Sequence, residues 1–364
     1  MANISAAGPF ESQAAVCAWL NQFSHPWLQH EWADTPGIVQ WQQDTTQLKI
    51  TIPFAAASLA ETLADWIADQ QARQLVPQLS VDIAVRVSPL AAGDKPLLKG
   101  VKNVLVVSSA KGGVGKSTTA VNLALGLKAL GAKVGLLDAD IYGPSVPLML
   151  GAAEEKPTSP DGKLMSPVAA HGLYTNSVGY LVPAENATVW RGPMASKALS
   201  QIVNETLWPD LDYLVVDMPP GTGDIQLTMS QQMPVTGAVV ITTPQDLALA
   251  DAIKGVNMFQ KVHVPVVGVV ENMSYHICSQ CGHHEAIFGT GGAEKMARDY
   301  AVPLLAQLPL HIRIREDIDQ GVPTVAAAPD SEHAQAYLEL AGRVASRLYW
   351  HGQPVAEQIR ITTL

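Results

Sequence analysis

The sequence predicts an α/β protein with a doubly wound, mostly parallel β-sheet and a small N-terminal α+β domain. Hydrophobic residues make up 48% of the chain, whereas aromatic residues make up 6% and charged residues 15%, which suits helices packed closely on buried strands. From residue 101 onward, runs of Val, Leu and Ile without polar alternation are separated by helical patterns, and such runs are typical of strands buried on both faces. Alternating strands and helices of this kind form a parallel sheet that binds ligands at the carboxyl ends of its strands.

The first 90 residues are predicted to form the small α+β domain. Its apolar-periodic stretches and strand-like runs are at residues 14–23, 48–52, 58–70 and 81–87. The following segment mixes Pro, Gly and charge, so residues 91–100 are predicted to be a linker. The larger domain is predicted over residues 101–350, and residues 351–364 are predicted to be a C-terminal tail.

Each element of the larger domain is predicted from its own pattern of apolar residues. Six strands are predicted in the segments VLVVSS, KVGLLDAD, YLVVDMPP, GAVVITTP, VPVVGVVENM and PLLAQLP. Helical patterns fill most of the gaps, at residues 117–130, 195–207, 247–262 and 333–349. This order gives a parallel sheet with helices on both faces.

The charge and the cysteine content exclude several classes of function. The formal net charge is −10 and the pI is about 5.4, so the chain as a whole repels nucleic acid backbones and anionic lipids. The start of the chain lacks the pattern of a secretory signal, and no run of about 18 apolar residues could span a bilayer. Three cysteines do not imply a disulfide framework, and Cys17 is expected to be a buried apolar residue. We therefore expect a soluble cytoplasmic protein that binds neither nucleic acid nor membrane.

A phosphate-binding loop is predicted where the strand VLVVSS runs into AKGGVGKST and a helix. Its glycines allow the backbone N–H groups to surround a phosphate, and the helix N-terminus adds partial positive charge. Lys116 is expected to be an exposed loop cation that reaches the β- and γ-phosphates of ATP, and the Ser117 hydroxyl is expected to bind Mg²⁺. The predicted nucleotide-binding residues are Gly112, Gly113, Val114, Gly115, Lys116, Ser117 and Thr118.

Carboxylates follow two of the predicted strands, at the edge of the sheet where ligands bind. Asp217 closes the strand in YLVVDMPPGTGD and is interpreted as the Walker B aspartate, which holds Mg²⁺ through water. Asp138 and Asp140 end the segment KVGLLDAD, and Asp138 is interpreted as a structural neighbour of the site.

The loop differs from the standard phosphate-loop pattern at two positions. Ala110 stands where that pattern has its first glycine, and Lys111 follows as an additional lysine. A second, early lysine resembles the deviant Walker A group of ATPases, which includes MinD, ParA, the arsenite-pump ATPase and the nitrogenase iron protein. The resemblance implies that Lys111 acts on the partner's nucleotide across a dimer interface. It also implies that Asp140 positions the attacking water and that Asn272 binds adenine. A solvated lysine and a turn-capping aspartate are the alternative interpretations of Lys111 and Asp140.

Cys278 and Cys281 have C-x-x-C spacing in the segment after the VENM strand. Two thiolates this close can bind one soft metal. Because Cys17 is far away in another domain, a site of four cysteines requires two copies of the chain. Three alternatives are open: a zinc site completed by histidines of one chain, a redox dithiol, or two unligated thiols. The histidines that could complete a zinc site are His276, His283 and His284.

A closer resemblance covers about residues 100–350. The segments that carry it are AKGGVGKST, DADIYGPSVP, WRGPMASKAL, DMPPGTGDIQLT, TTPQDLALAD, ENMSYHICSQCGHHEAIFGTGG and LPLHIRIREDIDQG. Together they resemble the Mrp/ApbC family of iron–sulfur cluster carriers. The resemblance implies a homodimeric ATPase that binds a 4Fe–4S cluster at Cys278 and Cys281 of two protomers and passes it to apoproteins. The N-terminal unit resembles a diverged PaaD-like domain without the cysteine that such domains often carry.

Two other classes of ATPase compete with the carrier. A MinD- or ParA-like positioning ATPase with a structural zinc site is the main alternative. It would have a basic surface or an amphipathic C-terminal membrane helix, and neither is visible in this acidic chain with its short, β-branched tail. A reductase like the nitrogenase iron protein would need two well-separated cysteines in each chain.

Overall fold

The computed structural model describes residues 10–42, 46–160, 162–181 and 192–355. The start of the chain, the beginning of the segment WRGPMASKAL and most of the predicted tail lie outside these residues. No helix within these ranges combines the length and the apolar character that a membrane span requires.

The described residues form an alternating series of strands and helices. The strands are β1 (Val39–Trp41), β2 (Gln47–Ile52), β3 (Ser80–Val85), β4 (Val101–Ser108), β5 (Val134–Asp138), β6 (Val168–Ala170), β7 (Leu173–Ser177), β8 (Leu211–Asp217), β9 (Val235–Thr242), β10 (Val266–Ile277), β11 (His284–Glu285) and β12 (Leu304–Leu310). The helices are α1 (Gln13–Leu20), α2 (Ala57–Ala72), α3 (Lys116–Ala129), α4 (Val146–Met149), α5 (Gly192–Asn204), α6 (Asp224–Gln232), α7 (Asp246–Lys261), α8 (Gly292–Asp299), α9 (Ile312–Asp319), α10 (Thr324–Ala327) and α11 (Glu332–His351). The six strands predicted for the larger domain are β4, β5, β8, β9, β10 and β12, and the predicted α/β fold class is confirmed.

The larger sheet has nine strands among the described residues, in the order β11-β10-β9-β4-β8-β5-β7-β6, with β12 paired to β10. The central strands β4, β5, β8, β9 and β10 are parallel, whereas β6 and β11 are antiparallel to their neighbours. Parallel strands end at the same edge of a sheet. Ser108, Asp138 and Asp217 therefore lie close together at the carboxyl ends of β4, β5 and β8.

The apolar runs of the central strands are explained by a hydrophobic core on each face of the sheet. Leu105 and Val107 of β4 join one core with residues of α3 and α11. Val104 and Val106 join the other core with residues of α5 and α7. Because successive side chains of a strand point to opposite faces, a strand covered on both faces needs apolar residues at every position.

The N-terminal part forms a separate three-stranded sheet in the order β1-β2-β3, in which β2 and β3 are parallel and joined through α2. Cys17 of α1 is buried in this region. Trp27 contacts α11: its carbonyl accepts hydrogen bonds from Ser346 Oγ at 2.7 Å and from Trp350 Nε1 at 2.9 Å. We propose that residues 91–100 form the boundary between the two parts.

The contact between Trp27 and α11 requires a glycine, because a Cβ at Gly342 would lie 2.0 Å from Cζ2 of the indole. We expect Gly342→Ala to lower the free energy of unfolding by about 1–3 kcal/mol, since the packed indole must move. Gly255→Ala in α7 is a matched control, because its Cβ would meet its nearest neighbour at 3.7 Å. That control should be neutral or stabilise the protein by up to about 1 kcal/mol. Thermal unfolding tests both variants, and equal midpoints would contradict this packing.

Candidate functional site

The loop between β4 and α3 has the backbone shape that a phosphate requires. Gly113 and Gly115 have φ angles of +82° and +81°, in the left-handed region that favours glycine. At Gly115, an added Cβ would lie 2.1 Å from Nδ2 of Asn272. The helix α3 begins at Lys116, immediately after the loop. Its first N–H groups therefore favour an anion at this position.

Lys116 is buried, and the expectation of an exposed loop cation is wrong. Its side chain is 6% exposed, and Nζ lies 2.5 Å from Asp217 Oδ1 and 3.7 Å from Asp140 Oδ2. The physical reason is that a buried ammonium needs paired negative charge, and the ends of β5 and β8 provide two carboxylates. A phosphate that enters the loop must therefore compete with Asp217 for Lys116.

Asp217 has a carboxylate oxygen that is free to bind a cation. Its side chain is fully buried, and Oδ2 has no hydrogen-bond partner within the described part of the chain. Burial raises the pKa of Asp217, and the Lys116 ammonium opposes that rise. An unpartnered buried carboxylate oxygen calls for an ion or water, and Ser117 is close enough to influence the same carboxylate. The two side chains fit Mg²⁺, which prefers oxygen ligands and keeps several waters.

Asp138, which ends β5, and Asp140, which lies just after it, differ in their contacts and exposure. Asp138 Oδ2 accepts hydrogen bonds from Ser177 Oγ at 3.0 Å and from a backbone N–H at 3.1 Å. Burial and the neighbouring Asp217 raise the pKa of Asp138 to about 7. Asp138 therefore holds the surrounding loops together. Asp140 is more accessible, with a side chain that is 13% exposed, and burial raises its pKa. Of the two carboxylates, Asp140 is the one that solvent reaches.

Asn272 connects the phosphate loop to a pocket beside it. Its Nδ2 donates a hydrogen bond to the carbonyl of Val114 at 2.9 Å. The pocket has a volume of about 270 Å³, and Gly115, Thr118, Asn272 and His311 are among the residues that line it. It therefore lies next to the phosphate loop, on the side of α9, where the remainder of a nucleotide could be placed.

Lys111 is exposed in the same loop. Its backbone carbonyl accepts a hydrogen bond from Ser109 Oγ at 2.8 Å, which fixes the start of the loop. The side chain is available to a second molecule.

Cys278 and Cys281 lie in a tight turn at the surface. The turn connects β10 to the short antiparallel strand β11. The Cys278 N–H donates to the carbonyl of His283 at 2.9 Å, and the Gly282 N–H donates to the carbonyl of Cys278 at 2.8 Å. Cys278 is half-buried and Cys281 is exposed. Backbone N–H groups of Gln280 and Cys281 lower the pKa of the Cys278 thiol, which favours the thiolate that binds metals.

The neighbouring histidines do not join the two thiols in a single metal site. His284 Nε2 lies 3.1 Å from Glu332 Oε1, and its ring stacks on Tyr275 with the centroids 5.1 Å apart. No group of three His, Cys, Asp or Glu side chains in the described residues is arranged to hold a metal ion.

Glu271 is a candidate positioning residue for the cysteine segment, and the sequence analysis did not identify it. Its fully buried carboxylate accepts hydrogen bonds from Gln307 Nε2 at 2.9 Å, from the Ala293 N–H at 3.2 Å and from Ser274 Oγ. Ala293 belongs to the first turn of α8, just after the cysteine segment. Glu271 therefore anchors the far end of that segment to β10. The signal was a charged residue within the apolar run VVGVVENM.

Known proteins match most of this chain. A model of the ParA family, described as NUBPL iron-transfer P-loop NTPase, matches residues 100–345. The iron-sulfur cluster carrier protein of Haemophilus influenzae is 57% identical over 96% of this chain and 95% of the relative. The protein of the same name from Escherichia coli strain K12 is 57% identical over 97% of each chain. A nucleotide-binding protein from Archaeoglobus fulgidus, solved in complex with ADP, is 34% identical with a TM-score of 0.55, over 61% of this chain and 87% of that one.

Proposed function

The chain belongs to the ParA family of P-loop NTPases, in the group described as NUBPL iron-transfer P-loop NTPase, and from this premise we propose that it is an ATP-hydrolysing iron–sulfur cluster carrier. It binds a 4Fe–4S cluster between two protomers and transfers it to apo iron–sulfur proteins in the cytoplasm. The observation that carries the proposal is the pair formed by half-buried Cys278 and exposed Cys281, at the end of the strand that bears Asn272. The names of the two bacterial relatives support a carrier over a positioning ATPase with a structural zinc site.

The nucleotide of this proposal is ATP, held by residues 112–118. The backbone N–H groups of the loop bind the phosphates, and Lys116 leaves Asp217 to pair with the β- and γ-phosphates. Ser117 and Asp217 would hold Mg²⁺, and the ion would neutralise charge on the phosphates when bound. Asn272 contacts the adenine base with a side-chain amide that has both donor and acceptor groups.

Hydrolysis in this proposal is a direct transfer of the γ-phosphoryl group to water. Asp140 orients the water, whose oxygen forms a bond to the γ-phosphorus while the bond from that phosphorus to the bridging oxygen breaks. The bond electrons leave with ADP, and the proton of the water passes to solvent or to the released phosphate. Lys116 and the partner's Lys111 stabilise the charge on the transferred group.

The role of Lys111 predicts that mutant subunits complement one another. Lys111→Ala should lower ATP turnover by about a hundredfold, because a transition-state cation is lost. An equal mixture of Lys111→Ala and Lys116→Ala subunits should recover about a quarter of wild-type turnover, since half of the dimers are mixed and each has one complete site. The measurement is phosphate release against protein concentration. Each variant alone is the control, and no recovery in the mixture would contradict action across the interface.

The cluster is cargo in this account, and its binding follows from the position of the thiols. Two such surface cysteine pairs, one from each protomer, would provide the four thiolates of a cubane cluster where they meet on a two-fold axis. Backbone hydrogen bonds that lower the pKa of the Cys278 thiol favour the thiolate, which is the form that binds metals. A shallow site with two ligands in each chain also suits release to an acceptor.

Cluster transfer is the experiment that tests the proposed function. Reconstituted protein should restore activity to an apo 4Fe–4S enzyme under anaerobic conditions, and it should do so faster than the same amounts of iron and sulfide in solution. Equal rates for protein and free ions would contradict a carrier. The same assay with Cys278→Ala protein is the matched control.

A further inference from the structure

A cluster of polar side chains connects the cysteine turn to α11. His284 of β11 lies three residues after Cys281 and pairs with Glu332 at the first position of α11, with Nε2 and Oε1 3.1 Å apart. Its ring also stacks on Tyr275 of β10. Burial, the larger cause, and the charge of Glu332 together raise the pKa of Tyr275. The turn that carries the two thiols is therefore tied to the N-terminus of α11.

The first turn of α11 also contacts the pocket beside the phosphate loop. His333, which follows Glu332, stacks on His311 with the ring centroids 4.7 Å apart and the planes 18° apart. His333 is 9% exposed, and its Nε2 has no hydrogen-bond partner in the described part of the chain. The stack is therefore a direct contact between the residue that precedes α9 and the first turn of α11.

His311 presents a hydrogen-bond donor in this pocket. It lines the pocket with Gly115 and Asn272, and its Nδ1 accepts a hydrogen bond from the Arg313 N–H at 3.2 Å. A neutral imidazole that accepts at Nδ1 carries its proton on Nε2. In that form His311 would donate through Nε2 to a ligand in the pocket that it lines.

We propose that His311, His333, Glu332 and His284 act as positioning residues that couple nucleotide occupancy to the geometry of the cysteine turn. This inference rests on the proposed function. A nucleotide that contacts His311 displaces the stacked pair, the first turn of α11 moves with it, and Glu332 moves His284 and the turn. Coupling of this kind is reciprocal, so the state of the thiols also changes the affinity for nucleotide.

The contact between Glu332 and His284 contributes little to stability, because the two side chains are 57% and 47% exposed. Its role in the proposal is geometric. The pocket and the cysteine turn are also connected directly along β10, from Asn272 to Cys278, so a second route for the coupling does not involve α11. Substitution of Glu332 separates the two routes, since Glu332 belongs to α11 and is neither part of β10 nor among the residues that line the pocket.

The test measures thiol reactivity in the cluster-free protein. Iodoacetamide alkylation of Cys278 and Cys281 is followed by mass spectrometry with and without saturating Mg²⁺ and ADP. In the wild-type protein we expect ADP to change the alkylation rate of the two thiols by about fivefold or more. A fivefold change is at the lower end of the range for allosteric coupling. Glu332→Ala should bind ADP with a Kd within about twofold of wild type and lose this change, because the tether is broken.

Glu339→Ala is the matched control, since it removes another half-exposed carboxylate of α11 whose partner, Arg343, lies on the same helix. It should keep the full effect of ADP. His311→Phe keeps a ring for the stack but removes the donor, and it should also lose the effect. An unchanged ADP effect in Glu332→Ala would overturn the coupling, as would ADP binding without any rate change in the wild type. Absence of ADP binding would instead overturn the proposed function together with the coupling.

Discussion

Lys116→Ala should lower ATP turnover by about a hundredfold or more, because it removes the cation that stabilises charge on the transferred phosphoryl group. The structure places Nζ of Lys116 beside Asp217 and Asp140, where a γ-phosphate and its Mg²⁺ would be held. Steady-state phosphate release measures the effect. Lys128→Ala is a matched control, because Lys128 is an exposed lysine of the same helix, and its turnover should equal that of the wild type.

Because Lys116 is buried, the folding of the Lys116→Ala protein must be measured as well as its turnover. Removal of one partner from a buried ion pair is destabilising, although Asp217 can reduce the cost by taking up a proton. Circular dichroism should show that the variant keeps its secondary structure and unfolds cooperatively. A folded Lys116→Ala protein with wild-type turnover would contradict the assignment of the phosphate site.

Cys278→Ala and Cys281→Ala should each abolish cluster binding. In the proposed symmetric dimer, each change removes two of the four shared thiolates, and two remaining thiolates cannot hold a cubane cluster. Visible absorption and iron content after anaerobic reconstitution measure the loss. ATP turnover should survive, because the phosphate loop follows β4 whereas the thiols follow β10.

Two controls belong to the cysteine experiment. Cys17→Ala removes a buried cysteine of the N-terminal part, and Ser279→Ala changes an exposed residue between the two thiols. Both should keep the cluster. Substitution of His276, His283 or His284 should also keep it, because no imidazole is a ligand in the dimer. Retention of the cluster by Cys281→Ala would contradict the shared site.

The larger sheet and the phosphate loop could be predicted from sequence because both depend on local patterns. Uninterrupted apolar runs mark strands with a core on each face, as Leu105 and Val106 of β4 demonstrate. The glycines of the loop mark backbone shapes that other residues rarely adopt, and two of them have positive φ.

The state of individual side chains could not be predicted in the same way, because it depends on contacts between residues far apart in the chain. Lys116 is buried beside Asp217, the last residue of β8, and Asp140, which lies just after β5. Two further contacts join elements that are separated along the chain. One is the pair of Glu332 and His284, and the other is the stack of His311 on His333. No local pattern in LPLHIRIREDIDQG indicates that its histidine stacks on another ring.

The central claim is that two chains share one cluster through Cys278 and Cys281. The most direct measurement is the iron and sulfide content of the anaerobically reconstituted protein, combined with its mass in solution. We expect about four iron and four sulfide ions per dimer, and a mass in solution that corresponds to two chains. A monomer that binds one zinc ion and loses it on substitution of His283 or His284 would contradict the shared cluster and the carrier function.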